Sequence, residues 1–94
     1  MSALLDFSEA LQVCKSGLRI ARVGWNGKGM FVFLMPGYPD GVPANRATAD
    51  GMQVPEGHTV RVLPYLMLRT ADGSIVPWLI SQTDALAEDW AVIS

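Results

Sequence analysis

The sequence predicts an α+β domain: an N-terminal helix on an antiparallel sheet of about five short strands, closed by a short C-terminal helical turn. Three observations carry this reading. Phe7, Ala10, Leu11 and Cys14 fall at i, i+3, i+4 and i+7, one face of a helix, and no later segment repeats that period. The remaining apolar segments are short and bounded by Gly, Pro, Asn or Asp, as strands are. They follow one another through turns rather than helical crossovers, which argues against a doubly wound parallel sheet.

The elements justify themselves in order. Asp6 caps the helix, with Glu9 three residues on completing a capping box. Lys15 in the last turn and Gly17 after it stop the helix. Leu18 to Val23 is a short strand. The segment Gly24-Trp25-Asn26-Gly27-Lys28-Gly29 calls for a tight turn through its Asn-Gly pair. Met30 to Met35 is wholly apolar, so a strand buried on both faces is expected. Pro36 to Gly57 holds four of the six prolines and reads as a long loop, with a short ordered piece near Met52. Order resumes at Thr59 to Leu63. Tyr65 to Arg69 and Ile75 to Ile80 are partner strands around an Ala71-Asp72-Gly73-Ser74 turn. Ser81 to Asp84 starts a short helix, Ala85 to Asp89 adds a turn or two, and Trp90 to Ile93 is the last strand.

Composition narrows the function. The 94 residues are read as a single domain, 1–94. Half are hydrophobic and only 17% are charged, against about 25% in an average globular domain. That excludes a disordered tail. The longest apolar run, Met30 to Met35, is six residues, far short of the ~20 that a membrane helix needs. MSALLDF has no basic region or long apolar core, so no signal peptide is expected and the reading is a soluble cytoplasmic protein. A chain this short buries only about 60–65% of its unfolded surface. Its apolar surplus therefore points to self-association, an apolar ligand pocket, or both.

Charge is segregated. No acidic residue lies between Glu9 and Asp40, where Lys15, Arg19, Arg22 and Lys28 occur. No basic residue follows Arg69, where Asp72, Asp84, Glu88 and Asp89 occur. Either the two halves face each other in the fold or across subunits, or the first half builds an anion site. Seven basic residues without a dense cluster are a weak footprint for DNA or RNA.

Few residues are equipped for catalysis. Cys14 lies on the apolar helix face and reads as a buried, inert thiol. His58, the single histidine, reads as a solvated loop residue. There is no Cys/His metal spacing. Asp84, Glu88 and Asp89 could supply acid–base chemistry, but Asp84 and Glu88, at i and i+4, serve a solvated helix face as readily. Two segments suit recognition better. Trp25, Asn26 and Lys28 put a stacking face, an amide and a cation within four positions, although Trp25 could equally fill the core. Trp78 offers another flat face. Ser81, Gln82, Thr83 and Asp84 follow with hydroxyls, an amide and a carboxylate at a helix start, although Ser81 could be an ordinary N-cap. Trp90 reads as core.

These two segments resemble a known family. GWNGKGM (Gly24 to Met30) with PWLISQTDALAEDW (Pro77 to Trp90) is similar to the second Thoeris anti-defence family, small phage and prophage proteins. DFSEAL (Asp6 to Leu11) and TADG (Thr70 to Gly73) fit as well. The resemblance implies a non-catalytic sponge, without cofactor or metal. It would bind cyclic nucleotide immune signals, glycocyclic ADP-ribose and for some members cyclic dinucleotides, without cleaving them. It implies a homo-oligomer, typically a tetramer, with sites between subunits, working in the cytoplasm of the infected or lysogenic host. Carried onto this sequence, Trp25 or Trp78 would stack on adenine. Asn26, Gln82 and Asp84 would read polar edges and ribose. Lys28, Arg22 and the backbone N–H groups near Thr83 would meet phosphates, and Phe7 would close the pocket from the first helix. The competing readings are a phage structural or interaction domain with no nucleotide ligand, and a small phosphodiesterase or ADP-ribose hydrolase.

Overall fold

The structure, a computed structural model, describes residues 3–94. The elements run α1 (Phe7–Lys15), β1 (Ile20–Arg22), β2 (Phe31–Met35), β3 (Tyr38–Pro43), α2 (Arg46–Met52), β4 (Thr59–Val62), β5 (Tyr65–Arg69), β6 (Ile75–Pro77), α3 (Gln82–Ala85) and β7 (Trp90–Val92). This is the α+β class that the sequence predicts. The chain divides into two compact units, one made of residues 3–35 and 66–94, the other of Pro36–Tyr65.

In the first unit a five-stranded sheet has the order β6-β5-β2-β1-β7. β1 pairs antiparallel with both β2 (Ile20 opposite Val32) and β7 (Arg22 opposite Trp90), and β5 pairs antiparallel with β6 (Arg69 opposite Ile75). α1 begins as the sequence dictates. Asp6 Oδ1 accepts from the Glu9 amide at 2.8 Å, and Glu9 Oε1 from the Asp6 amide at 3.1 Å. Ala10 and Cys14 turn inward and pack with Ile20, Val32 and Trp90, all fully buried. Burial pushes the Cys14 thiol pKa up, in keeping with an inert thiol. Leu5 extends the sheet edge by exchanging two backbone hydrogen bonds with Trp90, at 2.8 and 3.1 Å. That pairing delivers Phe7 to the Trp90 side of the sheet.

Two local expectations change here. β2 is not buried on both faces: Val32 is, while Phe31, Phe33, Leu34 and Met35 are half-buried. The apolar run does not alternate because α1 covers one face and two arginine side chains lie against Phe31 on the other. Nor is Gly24 to Gly29 a tight turn. Asn26 and Gly27 lack the positive φ that a two-residue Asn-Gly turn requires, and the chain makes a longer irregular connection that ends with Gly29 at φ +76°. The β5–β6 turn does form as expected, closed by Gly73 at φ +91° and by Asp72 Oδ1 accepting from the Thr70 hydroxyl and the Ser74 amide. The second strand stops at Pro77 rather than Ile80, with one further backbone bond to β5, from the Trp78 amide to the Leu66 carbonyl at 3.0 Å.

In the second unit, β3 and α2 replace most of the loop expected over Pro36 to Gly57; α2 is the ordered piece expected near Met52, and β4 falls where order is expected to resume. β3 and β4 form a two-stranded antiparallel sheet, with a register shift between Tyr38 and Val42. Two prolines and a glycine survive in β3 because an edge strand with a bulge needs neither a full set of N–H donors nor regular φ. Gly41 takes φ +102° there. α2 is capped by Asn45, whose side chain accepts from the Thr48 amide at 2.9 Å, and it ends at Gln53 in the left-handed region. Ala44 and Ala49 are the buried residues, and His58 is exposed, as read from the sequence.

Candidate functional site

Three separate stretches of the first unit converge at one end of its sheet. α1 supplies Phe7. The β1–β2 connection supplies Trp25, and the chain from β6 to β7 supplies Trp78, Asp84, Asp89 and Trp90. The aromatic rings form a continuous cluster around Trp90. Phe7 lies 5.2 Å and Trp25 5.3 Å from it between centroids, and Trp78 lies at 6.0 Å. Trp78 also meets Phe7 at 6.1 Å and Trp25 at 6.4 Å. The three tryptophans meet at interplanar angles of 74–79°, edge to face, as ring quadrupoles favour. Trp90 is fully buried, whereas Phe7, Trp25 and Trp78 remain half-buried, so the cluster has a core side and a solvent side.

A polar network ties this cluster in place, with Asp84 at its centre. The Ser81 side chain caps α3 by accepting from the Asp84 amide at 3.1 Å. The Asp84 carbonyl accepts from Trp90 Nε1 at 2.9 Å. Its carboxylate Oδ1 accepts from Trp25 Nε1 at 3.1 Å and from Arg22 Nη1 at 2.9 Å. Arg22 reaches on to Asp89 Oδ1 through Nε at 2.8 Å, and Asp89 Oδ2 accepts from the Gly24 amide at 2.8 Å. Gly24 lets this carboxylate come close: a Cβ there would stand 2.9 Å from Asp89 Oδ2 and push on it.

Arg22 thus binds two carboxylates, with 18% of its side chain exposed against 17% for Asp84. A guanidinium has five N–H donors. Three point at carboxylates, and two stay free for another acceptor. The charges respond. Hydrogen bonds to Asp89 and then Asp84 raise the Arg22 pKa. Burial pushes the Asp84 carboxyl up, but hydrogen bonds from Arg22, Trp25 and Ser81 together outweigh it and leave the pKa below the ordinary value. The Asp89 carboxyl is lowered by Arg22 above all, against desolvation and with help from the Gly24 amide. At neutral pH the site holds two carboxylates and one guanidinium, cross-linked and ordered.

Phe7, Arg22, Trp25, Trp78, Ser81 and Asp84, all singled out from the sequence, meet in this network. Asn26, Lys28, Gln82 and Thr83 are exposed and make no side-chain hydrogen bond or ion pair among the described residues. Lys28 and Asn26 stand on the same connection as Trp25, and Gln82 and Thr83 on the first turn of α3, so the four border the cluster in the chain. Sequence reasoning weighed Asp89 only for acid–base chemistry and left Gly24 out of the site; Trp90 is core, as read from the sequence, and is also the ring on which the others pack. The segregation of charge was the signal for Asp89: for Arg22, the basic first half and acidic last quarter do face each other within the fold. Among the described residues no group of three or more His, Cys, Asp or Glu could hold a metal ion, and no helix is long and apolar enough to cross a membrane.

Comparison with known proteins bears on the same residues. A family profile described as the Thoeris anti-defense 2-like domain matches residues 5–93, which spans every residue of the site. A curated relative, Thoeris anti-defense 2 of Bacillus phage SP01, is 38% identical over 94 residues, covering the whole of both chains.

Proposed function

The chain belongs to the Thoeris anti-defense 2-like family, and from that premise we propose that it is a phage anti-defence protein acting as a sponge for cyclic nucleotide immune signals. On this reading it binds a signal such as glycocyclic ADP-ribose, and in some cases a cyclic dinucleotide, without cleaving it. The immune effector in the host cytoplasm is then starved of its activator. The observation that carries the reading is the half-open aromatic cluster cross-linked to the Arg22–Asp84–Asp89 network. A base can stack on Trp25 or Trp78, with Phe7 at the edge, and stacking contributes about 1–3 kcal/mol per base. The two free N–H groups of Arg22 and the exposed Lys28 suit phosphate oxygens, while Asn26, Gln82 and Thr83 suit ribose and base edges. Asp84 and Ser81 act chiefly by positioning: their acceptor atoms are engaged in holding Trp25, Arg22 and the α3 turn.

Assembly fits the same proposal. Leu79 and Leu86 flank the Ser81–Asp84 turn and are 92% and 79% exposed. A second copy covering them would bring its own residues to the rim of the cluster, as a tetramer with sites between subunits requires.

One observation favours a different reading, a structural or interaction domain without a nucleotide ligand. Trp25 and Trp78 pack on the hydrophobic core, so they would earn their place by packing alone. Incubation with glycocyclic ADP-ribose, removal of free ligand, heat denaturation and mass analysis separate the readings. A sponge returns the signal intact. A cleaved product means an enzyme. No retained ligand, together with a flat thermal-shift screen over cyclic ADP-ribose isomers and cyclic dinucleotides, means a structural domain. Ligand at 100 times its Kd should stabilise the protein by about 2.7 kcal/mol.

A further inference from the structure

We propose that the sheet face turned away from α1 carries a second binding site, for a ligand that joins a flat apolar ring to an anionic group. The site goes beyond the aromatic cluster and shares no residue with it. Strand order builds it: β2 lies between β5 and β1, so Phe31 on β2 is flanked by Arg69 on β5 and by Arg19 just ahead of β1. The two guanidinium carbons stand 4.9 Å (Arg19) and 5.9 Å (Arg69) from the Phe31 ring centre. These are cation–π distances.

Neither arginine pairs with an Asp or Glu side chain among the described residues. Both are instead fixed by other oxygens. Arg19 donates to Ser94 O at 3.1 Å and Ser94 Oγ at 2.9 Å, and Arg69 donates to the Gly29 carbonyl at 2.7 Å. Most of their N–H donors therefore remain free, while the side chains are already ordered, which lowers the entropic cost of binding.

Between them lies a cleft of about 410 Å³, floored by Phe31, Phe33 and Ile75 and rimmed by Gly17 and Gly73. That size falls within the range of small-molecule pockets. Both glycines take positive φ, and a Cβ at Gly17 would meet nothing within 4 Å, so the rim leaves the entrance clear. No acidic side chain lines the cleft. An apolar floor between two guanidiniums selects a ring for the floor and an anion for the walls. A neutral aromatic would leave the cations unused, and a bare anion would leave the floor wet.

The test uses the full chain and 1-naphthyl phosphate as probe, with amide NMR to locate binding. Titration should move the amides of Gly17, Phe31, Phe33 and Gly73 saturably. 1-Naphthol and inorganic phosphate should each bind there at least tenfold more weakly. Arg69→Gln and Arg19→Gln should each weaken the probe at least tenfold. Ile75→Glu, at an exposed position directly across the strands from Arg69, should do the same by placing a carboxylate beside that guanidinium in the cleft; it keeps the test decisive if an arginine variant folds poorly. The proposal is overturned if the shifts fall on the Trp25 and Trp90 indoles instead, if 1-naphthol binds as well as its phosphate, or if the folded variants bind like the parent. It is equally overturned if the amides stay still while Ile75→Glu lowers the mass of a homo-oligomer, which would make this face a subunit interface.

Discussion

Replacing Asp84 tests whether the aromatic cluster is held by its polar tie. Asp84→Ala removes the one oxygen that accepts from both Arg22 Nη1 (2.9 Å) and Trp25 Nε1 (3.1 Å). A hydrogen bond to a charged group contributes about 1.5–3 kcal/mol, so the pair sets an upper bound of about 3–6 kcal/mol. Two facts reduce it. Arg22 keeps Asp89 at 2.8 Å and is not left unpaired, and both side chains are 17–18% exposed, so water replaces part of what is lost. The Trp90 tie runs to the Asp84 carbonyl and survives the substitution. The expected loss is then about 2–3 kcal/mol, which lowers Tm by about 10–20 °C in a chain of this size. Asp84→Asn keeps an acceptor oxygen and gives up only the charge, so it should cost about 1 kcal/mol, or about 4–8 °C. The assay is a far-UV circular dichroism melt at equal protomer concentration, because assembly would make Tm depend on concentration. Ligand retention is then measured well below the lower Tm, where Asp84→Ala should retain less than Asp84→Asn. An Ala variant melting within about 2 °C of the parent, or an Asn variant melting as low as the Ala variant, refutes the reasoning.

Three further outcomes follow from the same structure. Asp72, Asp84 and Asp89 all have pKa values below those of the unfolded chain, Asp72 at about 2, so each contributes stability above about pH 4 that is lost as pH falls through its folded value. A Tm profile should be nearly flat from about pH 7 to 5 and decline below about pH 4; a decline that begins near pH 6 would point to other groups. Cys14 is fully buried with a raised pKa, so a thiol reagent should label it only as fast as the protein opens, and labelling at the rate of a free thiol in native buffer would contradict that burial. Asn45→Ala removes the acceptor for the Thr48 amide and should cost about 1 kcal/mol in the second unit, visible as faster amide exchange in α2 with α1 unchanged.

What the sequence made legible was local. The capping box of Asp6 and Glu9 and the periodicity from Phe7 to Cys14 act within one helix, so α1 was placed from its own residues. The Thr70–Ser74 turn closes on itself in the same way. The second unit is legible only in part: order at Thr59 to Leu63 and near Met52 is expected and found, while β3 and the helical form of α2 are not expected, because their signals are not periodic. α2 buries only Ala49, so its one clear mark is Asn45 at the N-cap, and β3 hides behind Pro39 and Gly41, which read as loop anywhere except on a bulged edge. The site divides along the same line. Trp25 and Trp78 stood out by residue type and Ser81 by its place at a helix start. The pairings of Arg22 with Asp84 and Asp89 span 62 and 67 residues, and only the separation of charge along the chain foreshadowed them.

That long-range pairing bears on how a sponge would achieve affinity. Each residue ordered on binding costs free energy, so a pocket of loosely held aromatics would spend much of its stacking on fixing its own side chains. Here the fixing is done on folding. The Trp25 and Trp90 indoles are each held through Nε1 to a single residue, Asp84, and Trp78 is wedged against both rings. The connection carrying Trp25 is clamped at Gly24 by Asp89, which also holds Arg22. Trp25 and Arg22, one suited to stacking and the other to phosphate, are therefore tied together through Asp84, and Asp89 ties Arg22 to the backbone beside Trp25. A preorganised site of this kind gains affinity mainly through slow release, and slow release is what sequestration demands. The same carboxylates serve geometry rather than proton transfer: both have pKa values below the ordinary carboxylate range, the wrong direction for a general acid or base at neutral pH. On the proposed reading, the same hydrogen bonds that order the site would suit retention of a ligand rather than proton transfer by these two residues.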